Sequence, residues 1–392
     1  MLYTPAFFAM AIANLCNLAS FGTFFLFPLF ISNHGGDQAD IGVVMGAFAL
    51  SSVFCRPSIS EMIDRIGRKR SFSIGSVCMS VCPLVYVFFR GDLPSFYVPL
   101  LLIRLIHGVG FAICLTAAFT YVADLIPPRR LNEGIGIFGV SGLLGTAVGP
   151  IIAEATLRYA DFQTLFLVAA GMSTVGFLIH FPLSETYVHV SKIRSGSFFS
   201  VLKMRRIFFV AILSLLFGFG LAASNNFISP FAHEKGLRFI SLFYVAYSSA
   251  AILTRLFGGR LGDRLGEKRI IPYALLIMGA GLFSLIFLQG DLMLLVSGFM
   301  AGCGHGFLYP SLNVLAIRGE PPHIKGKITG VFTGSIDAGV FGGSIVLGCI
   351  GQWIGFPSLF MAAGFALLLA FGIFELEVLT NRYEMISLKK EK

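Results

Sequence analysis

Residues 56–70 read RPSISEMIDRIGRKR and residues 255–269 read RLFGGRLGDRLGEKR. At a constant offset of 199 positions, Arg56/Arg255, Asp64/Asp263, Arg65/Arg264, Gly67/Gly266, Lys69/Lys268 and Arg70/Arg269 are identical. A second echo, at offset 196, pairs Gly108 and Gly110 with Gly304 and Gly306. Both offsets are about half of the 392 residues, so the chain reads as one unit written twice.

The sequence around these stretches is apolar. Hydrophobic residues make up 56%, charged residues 12%, and the mean hydropathy is +0.84. So few charges cannot cover so apolar a core in water, which excludes a soluble enzyme. The 42 Phe and 45 Gly suit closely packed helices in lipid. At roughly 30 residues per span and connection, ten to thirteen spans are expected. Uncharged stretches place twelve, at 7–32, 41–59, 71–89, 96–122, 133–157, 163–183, 207–232, 239–258, 270–288, 292–317, 327–350 and 356–378. The expected architecture is an all-α integral membrane protein of two pseudo-symmetric six-helix bundles. They occupy 1–183 and 207–378, with a linker at 184–206 and a tail at 379–392.

Charge placement predicts orientation. Connections after even-numbered spans, the tail and the adjoining helix ends hold 24 of the 29 Lys and Arg, and the opposite connections hold four. The positive-inside rule then puts both termini in the cytoplasm. Much of the net charge of +9 is therefore a topology signal, and no nucleic-acid partner is expected. No basic residue precedes Arg56, so span 1 is expected to be kept as a helix rather than cleaved as a signal.

Seven cysteines lie in or beside apolar runs, which argues against a disulfide framework. Cys78 and Cys82 are one turn apart but have no His or carboxylate with them, so no metal is expected. No P-loop, zincin or nucleophile-elbow pattern occurs, and neither a cofactor nor ATP is implied.

A few polar residues interrupt the spans. Arg104 sits in span 4, where an isolated Arg costs at least ~2.5 kcal/mol, so it should face a cavity and have a partner. His107 follows on the same helical face. Asp337 is the carboxylate nearest mid-span, in VFTGSIDAGVFGG; it reads either as a group that loads and releases a proton or as a structural cap. Glu154 lies near the end of span 5 and could pair with Arg158 or serve a gate. Asp64 and Asp263 stand among basic residues at helix ends. They read as solvated turn residues or, with Arg56, Arg65, Gly67, Arg68, Arg255, Arg264 and Gly266, as a gate latch against the N-terminal end of a helix such as span 11.

The sequence resembles the major facilitator superfamily over essentially its whole length. The loop signature G-x-L-x-D-R-x-G-R-[KR] is matched from Ser60 to Lys69, with Ser60 and Met62 as departures. It recurs from Gly259 to Lys268, with Glu267 in place of a basic residue. The helix-4 pattern R-x-x-x-G-x-G is Arg104, Gly108 and Gly110. The helix-5 pattern is Gly136, Gly145, Gly149 and Pro150, ending Ala153-Glu154 instead of Gly-Gly. The resemblance implies that the loop latch holds an outward-facing state, that Arg104 is linked to proton coupling, and that the helix-5 glycines belong to antiporting exporters. It also implies a cavity lined by spans 1, 4, 7 and 10, whose polar residues are Asn14, Asn17, Asn225, Asn226, His305, Tyr309 and Asn313.

The function so implied is secondary active transport by alternating access: a small organic molecule exported in exchange for protons, by a monomer in the bacterial inner membrane. A proton symporter or facilitator importing sugars or organic acids is the alternative. A non-transport receptor or membrane enzyme is the alternative from another class.

Overall fold

The computed structural model describes residues 4–127, 130–186, 201–320 and 322–390. The 187–200 part of the expected linker and the side chains of Asp263 and Arg264 lie outside the described residues.

Among the described residues, twelve long helical stretches follow in chain order. The first bundle holds α1 (Pro5–Asn33), α2 (Gln38–Ile66), α3 (Arg68–Tyr86), α4 (Leu93–Leu125), α5 (Leu131–Tyr159) and α6 (Phe162–His180). The second holds α7 (Arg205–Asn226, continued after Phe227 as Ile228–Glu234), α8 (Ser241–Leu265), α9 (Glu267–Ser284), α10 (Asp291–Ile317), α11 (Pro322–Ile354) and α12 (Phe356–Lys390). Among the described residues, ten helices are long and apolar enough to cross a membrane, and Ser241–Phe257 is a shorter apolar one. Helix α3 is less apolar because it opens on Arg68-Lys69-Arg70 and carries several serines.

Local chemistry sets the ends. Asp37 and Asp40 form a reciprocal capping box that starts α2, with N···O distances of 2.9 and 3.1 Å. Asp161 accepts from the Thr164 N–H (2.9 Å) and hydroxyl (2.8 Å) to start α6, and these bonds hold its carboxyl below the usual range. Gly67, at φ +104°, turns α2 into α3, and Gly266, at φ +75°, does the same between α8 and α9. Helix α2 runs seven residues beyond the expected end at 59, so Arg56 is inside a helix rather than at its edge.

The two bundles pack alike. In the first, α1 lies on α5 and α6, α4 on α2 and α3, and α3 on α6. In the second, α7 lies on α11 and α12, α10 on α8 and α9, and α9 on α12. Each contact maps onto its counterpart six helices later, as a parallel duplication about an axis along the bundle requires. The bundles meet through α2 against α11 and α5 against α8, again a matched pair.

These interfaces are tightest at the side away from the termini. A Cβ on Gly42 would lie 2.3 Å from the Ser344 carbonyl oxygen, and one on Gly348 would lie 2.6 Å from that of Gln38, so backbones touch there. The Gln38 N–H also donates to Gln352 Oε1 at 3.2 Å. Nearer the termini side, long arginine side chains bridge instead: a Cβ on Gly334 would meet Arg56 Cδ at 3.7 Å, and one on Gly139 would meet Arg255 Nη1 at 3.4 Å. Away from the termini the bundles touch backbone to backbone, and nearer the termini they touch through arginine side chains.

Candidate functional site

Ser52 and Arg56 are one turn apart on α2 and so share a face. Both point at Asp337 of α11. Ser52 Oγ donates to Asp337 Oδ2 at 2.8 Å, Arg56 Nε donates at 2.9 Å, and Arg56 Nη2 adds a third bond to the same oxygen. The Arg56 and Asp337 side chains are 20% and 23% exposed, intermediate between a surface pair and a dry one. An ionised carboxylate accepts all three bonds, and a protonated one loses the charge that holds Arg56. Sequence reasoning had put Arg56 in a latch and Asp337 in a span. Their pairing, 281 residues apart, has no local signal.

Tyr309 of α10 lies within electrostatic reach of Arg56, Asp337 and Arg255. Its ring packs edge-on against Phe332 at 5.1 Å and carries the Arg255 guanidinium at 5.6 Å. His305, one turn away, bonds through Nδ1 to the Tyr247 hydroxyl of α8. Arg255 thus stands at the middle of the bundle interface, away from the end-of-helix latch in which the sequence had placed it.

Arg104 is 2% exposed and does not face lipid. Its guanidinium sits over Phe48 (4.7 Å), Phe27 (5.1 Å) and Phe24 (5.8 Å), and Nε donates to the Val44 carbonyl at 3.4 Å. Its partners are the Val44 carbonyl and the faces of Phe24, Phe27 and Phe48, which form an aromatic box tying α4 to α1 and α2. His107 closes that box, edge-on to Phe24 at 4.9 Å and bonded to the Tyr86 hydroxyl at 3.3 Å.

A profile described as Major Facilitator Superfamily matches residues 9–246 and 210–385. The chain belongs to the major facilitator superfamily. It is a multi-pass membrane transporter, not an enzyme. An uncharacterised MFS-type transporter of Methanocaldococcus jannaschii is 25% identical over 80% of this chain and 82% of its own length. Multidrug resistance protein 2 of Bacillus subtilis is 25% identical over 70% of each chain. Quinolone resistance protein NorA of Staphylococcus aureus is 24% identical over 78% of this chain and 80% of its own. Among solved structures, a point mutant of the nucleoside transporter NupG overlays with TM-score 0.78 at 17% identity, covering 95% of this chain and 99% of that one. The human organic anion transporter MFSD10 overlays with TM-score 0.72 at 16% identity, covering 94% and 99%.

The superfamily loop signature is held within the first bundle. Arg68 Nε pairs with Asp124 of α4 at 3.1 Å, and its Nη1 pairs with Asp64 at 3.3 Å. Arg65 pairs with Glu61 at 2.7 Å. Asp64 is 63% exposed and, among the described residues, pairs with Arg68; the side chains of 321–323, at the start of α11 where the latch is expected, lie outside the described residues. Glu185, which sequence reasoning missed, accepts from the N–H groups of Arg68 (2.8 Å), Lys69 (3.2 Å) and Arg70 (3.3 Å) and so caps α3. Its signal was hidden because Gly67 has no side chain to cap the helix it begins.

On the far side Glu154 acts across the interface. Its Oε2 accepts from the Ser241 N–H at 2.8 Å, at the start of α8, while Oε1 meets Arg158 at 3.5 Å. The superfamily glycines mark close helix contacts. A Cβ on Gly108 would fall 2.2 Å from the Phe48 carbonyl of α2, and one on Gly110 would fall 2.4 Å from Cys78 Cβ of α3. Gly145, Gly149 and Pro150 press on α1 around Ala19 and Gly22, whereas Gly136 has nothing within 4 Å.

The expected cavity residues divide. Asn14 donates to Ser141 of α5 (2.9 Å), Asn17 to the Ala13 carbonyl (3.0 Å) and Ser76 (3.3 Å), and Asn226 to Ser344 of α11 (2.7 Å). All three are buried and bond to neighbouring helices. Asn313 accepts from Thr329 at 3.5 Å, and Asn225 is half-buried. His305 and Tyr309 remain at the central cluster.

Proposed function

We propose that this chain is a proton-coupled antiporter that exports a small organic molecule by alternating access. Asp337 carries the proton, and its bonds to Arg56 and Ser52 link protonation to movement of the bundles. The observation that carries this reading is the ionic tie between α2 and α11. It joins the bundles at mid-depth, through a carboxylate that is 23% exposed. With Asp337 ionised, Arg56 holds the bundles in the arrangement seen here. Protonation removes the charge that Arg56 bonds to and frees α2 from α11, so the bundles can exchange arrangements; the proton is loaded from the side away from the termini and released toward them as the ionic tie re-forms.

Arg104 is not given the proton. A guanidinium stays charged in proteins, and its aromatic box suits a positioning role for α4 against α1 and α2. The bundles rock as units of 1–183 and 207–378. The protein sits as a monomer in the cell's inner membrane, with cytoplasmic termini. The termini side is then the cytoplasmic side, the loading side of an exporter. Export agrees with the relatives named for multidrug and quinolone resistance. Proton symport or facilitated import is the second reading, favoured by the likeness to a nucleoside transporter.

Proteoliposomes decide between them. With an imposed pH gradient and a quinolone as probe, antiport drives the probe against the direction of proton flow. Symport carries both the same way. Flux of the probe with no dependence on the gradient would refute proton coupling.

A further inference from the structure

Arg255 stands in α8 where Arg56 stands in α2, but its surroundings differ. Arg56 crosses the bundle interface to a carboxylate. Arg255 crosses the matching interface to α5, where the position equivalent to Asp337 is Phe138 and the neighbour it reaches is Gly139. Its Nε is buried with no hydrogen-bond acceptor. Among the described residues no carboxylate pairs with it, and Asp337 is taken by Arg56 and Ser52.

The guanidinium lies over the Tyr309 ring at 5.6 Å, with Tyr247 and His305 within electrostatic reach. Arg56, Arg255 and ionised Asp337 together leave one positive charge uncompensated at the centre of the molecule. An unpaired buried cation is costly, and evolution retains one where something else supplies the anion.

We propose that Arg255 is the docking point for an anionic group of the transported molecule: a carboxylate, or an oxyanion of similar geometry, carried on an aromatic or amphiphilic body. The guanidinium offers a planar fork that takes two carboxylate oxygens at once. Tyr309 and the Tyr247–His305 pair flank it with ring faces against which an apolar body stacks. This assignment rests on the transport reading above and names the class of molecule it handles.

The test is equilibrium binding to the full chain in nanodiscs, with no pH gradient, using matched probes: radiolabelled biphenyl-4-carboxylate, indole-3-acetate and benzoate against their carboxamides. The wild type should bind carboxylates at least tenfold more tightly than amides. R255M should lose that preference and R255K should keep part of it. In addition, empty R255M should melt at or above the wild-type temperature, because an uncompensated charge has been removed. Absence of a carboxylate preference in the wild type, or its survival in R255M, overturns the proposal. So does an R255M protein that fails to fold while R255K shows no preference. Because no gradient is applied, an Arg255-dependent preference without proton-driven flux would sink the antiport reading and leave this assignment standing.

Discussion

Replacing Asp337 with Asn isolates the tie between the bundles. The amide keeps the shape and can still accept from Ser52, but it removes the charge on which Arg56 Nε and Nη2 converge. Hydrogen bonds to charged groups contribute about 1.5–3 kcal/mol each. Side chains 20% and 23% exposed retain some solvent screening, which brings the set to about 2 kcal/mol. At 1.4 kcal/mol per tenfold, that is roughly a 30-fold shift away from the arrangement seen here. Spin labels at Ser58 of α2 and Gly326 of α11, both exposed at the termini side, report the separation by electron–electron double resonance. The wild type should show its distance distribution shifting as pH falls. Asp337→Asn should show the low-pH distribution already at pH 7 and respond to pH no further. A variant with the wild-type distribution, or with the wild-type pH response intact, would refute the reasoning.

Three further outcomes are expected. Gly42→Leu puts a side chain where a Cβ alone would lie 2.3 Å from the Ser344 carbonyl, so far-side closure is blocked. Proteoliposome flux should fall at least tenfold, while labels on the far side become accessible. Arg104→Met fills a box of Phe24, Phe27 and Phe48 with an apolar group, so the pH midpoint of transport should stay unchanged whatever happens to stability; a moved midpoint would return Arg104 to the coupling step. Asp161→Ala should lower thermal stability in detergent at neutral pH. The Asp161 carboxyl is held below its usual value by Thr164, so its contribution is present above the unfolded value of 3.8 and lost as pH falls through the folded one. The gap between variant and wild type should therefore close in acid.

The residues that sequence reasoning assigned to one role and the structure to another share a cause. Helices in lipid are apolar on most faces, so periodicity does not tell a helix contact from a cavity wall. Asn14, Asn17 and Asn226 look alike on paper with His305 and Tyr309, yet the first three bond neighbouring helices and the last two face the central arginine. Spacing sets Asp64 near the start of α11, but the partner it meets depends on how the bundles dock, and among the described residues that partner is Arg68. Glu185 caps a helix more than a hundred residues earlier in the chain, through backbone groups that carry no sequence mark.

The sequence alone determined the membrane environment, the helical spans, the duplication and the family. Those follow from composition, charge placement and local spacing, which are properties of neighbouring residues. Tertiary structure decided that Arg56 meets Asp337, that among the described residues Arg255 meets no carboxylate, and that Glu154 reaches α8. Each depends on how one bundle docks on the other. Charges separated by hundreds of positions find or miss a counter-ion only when two rigid bundles bring them within a few ångströms.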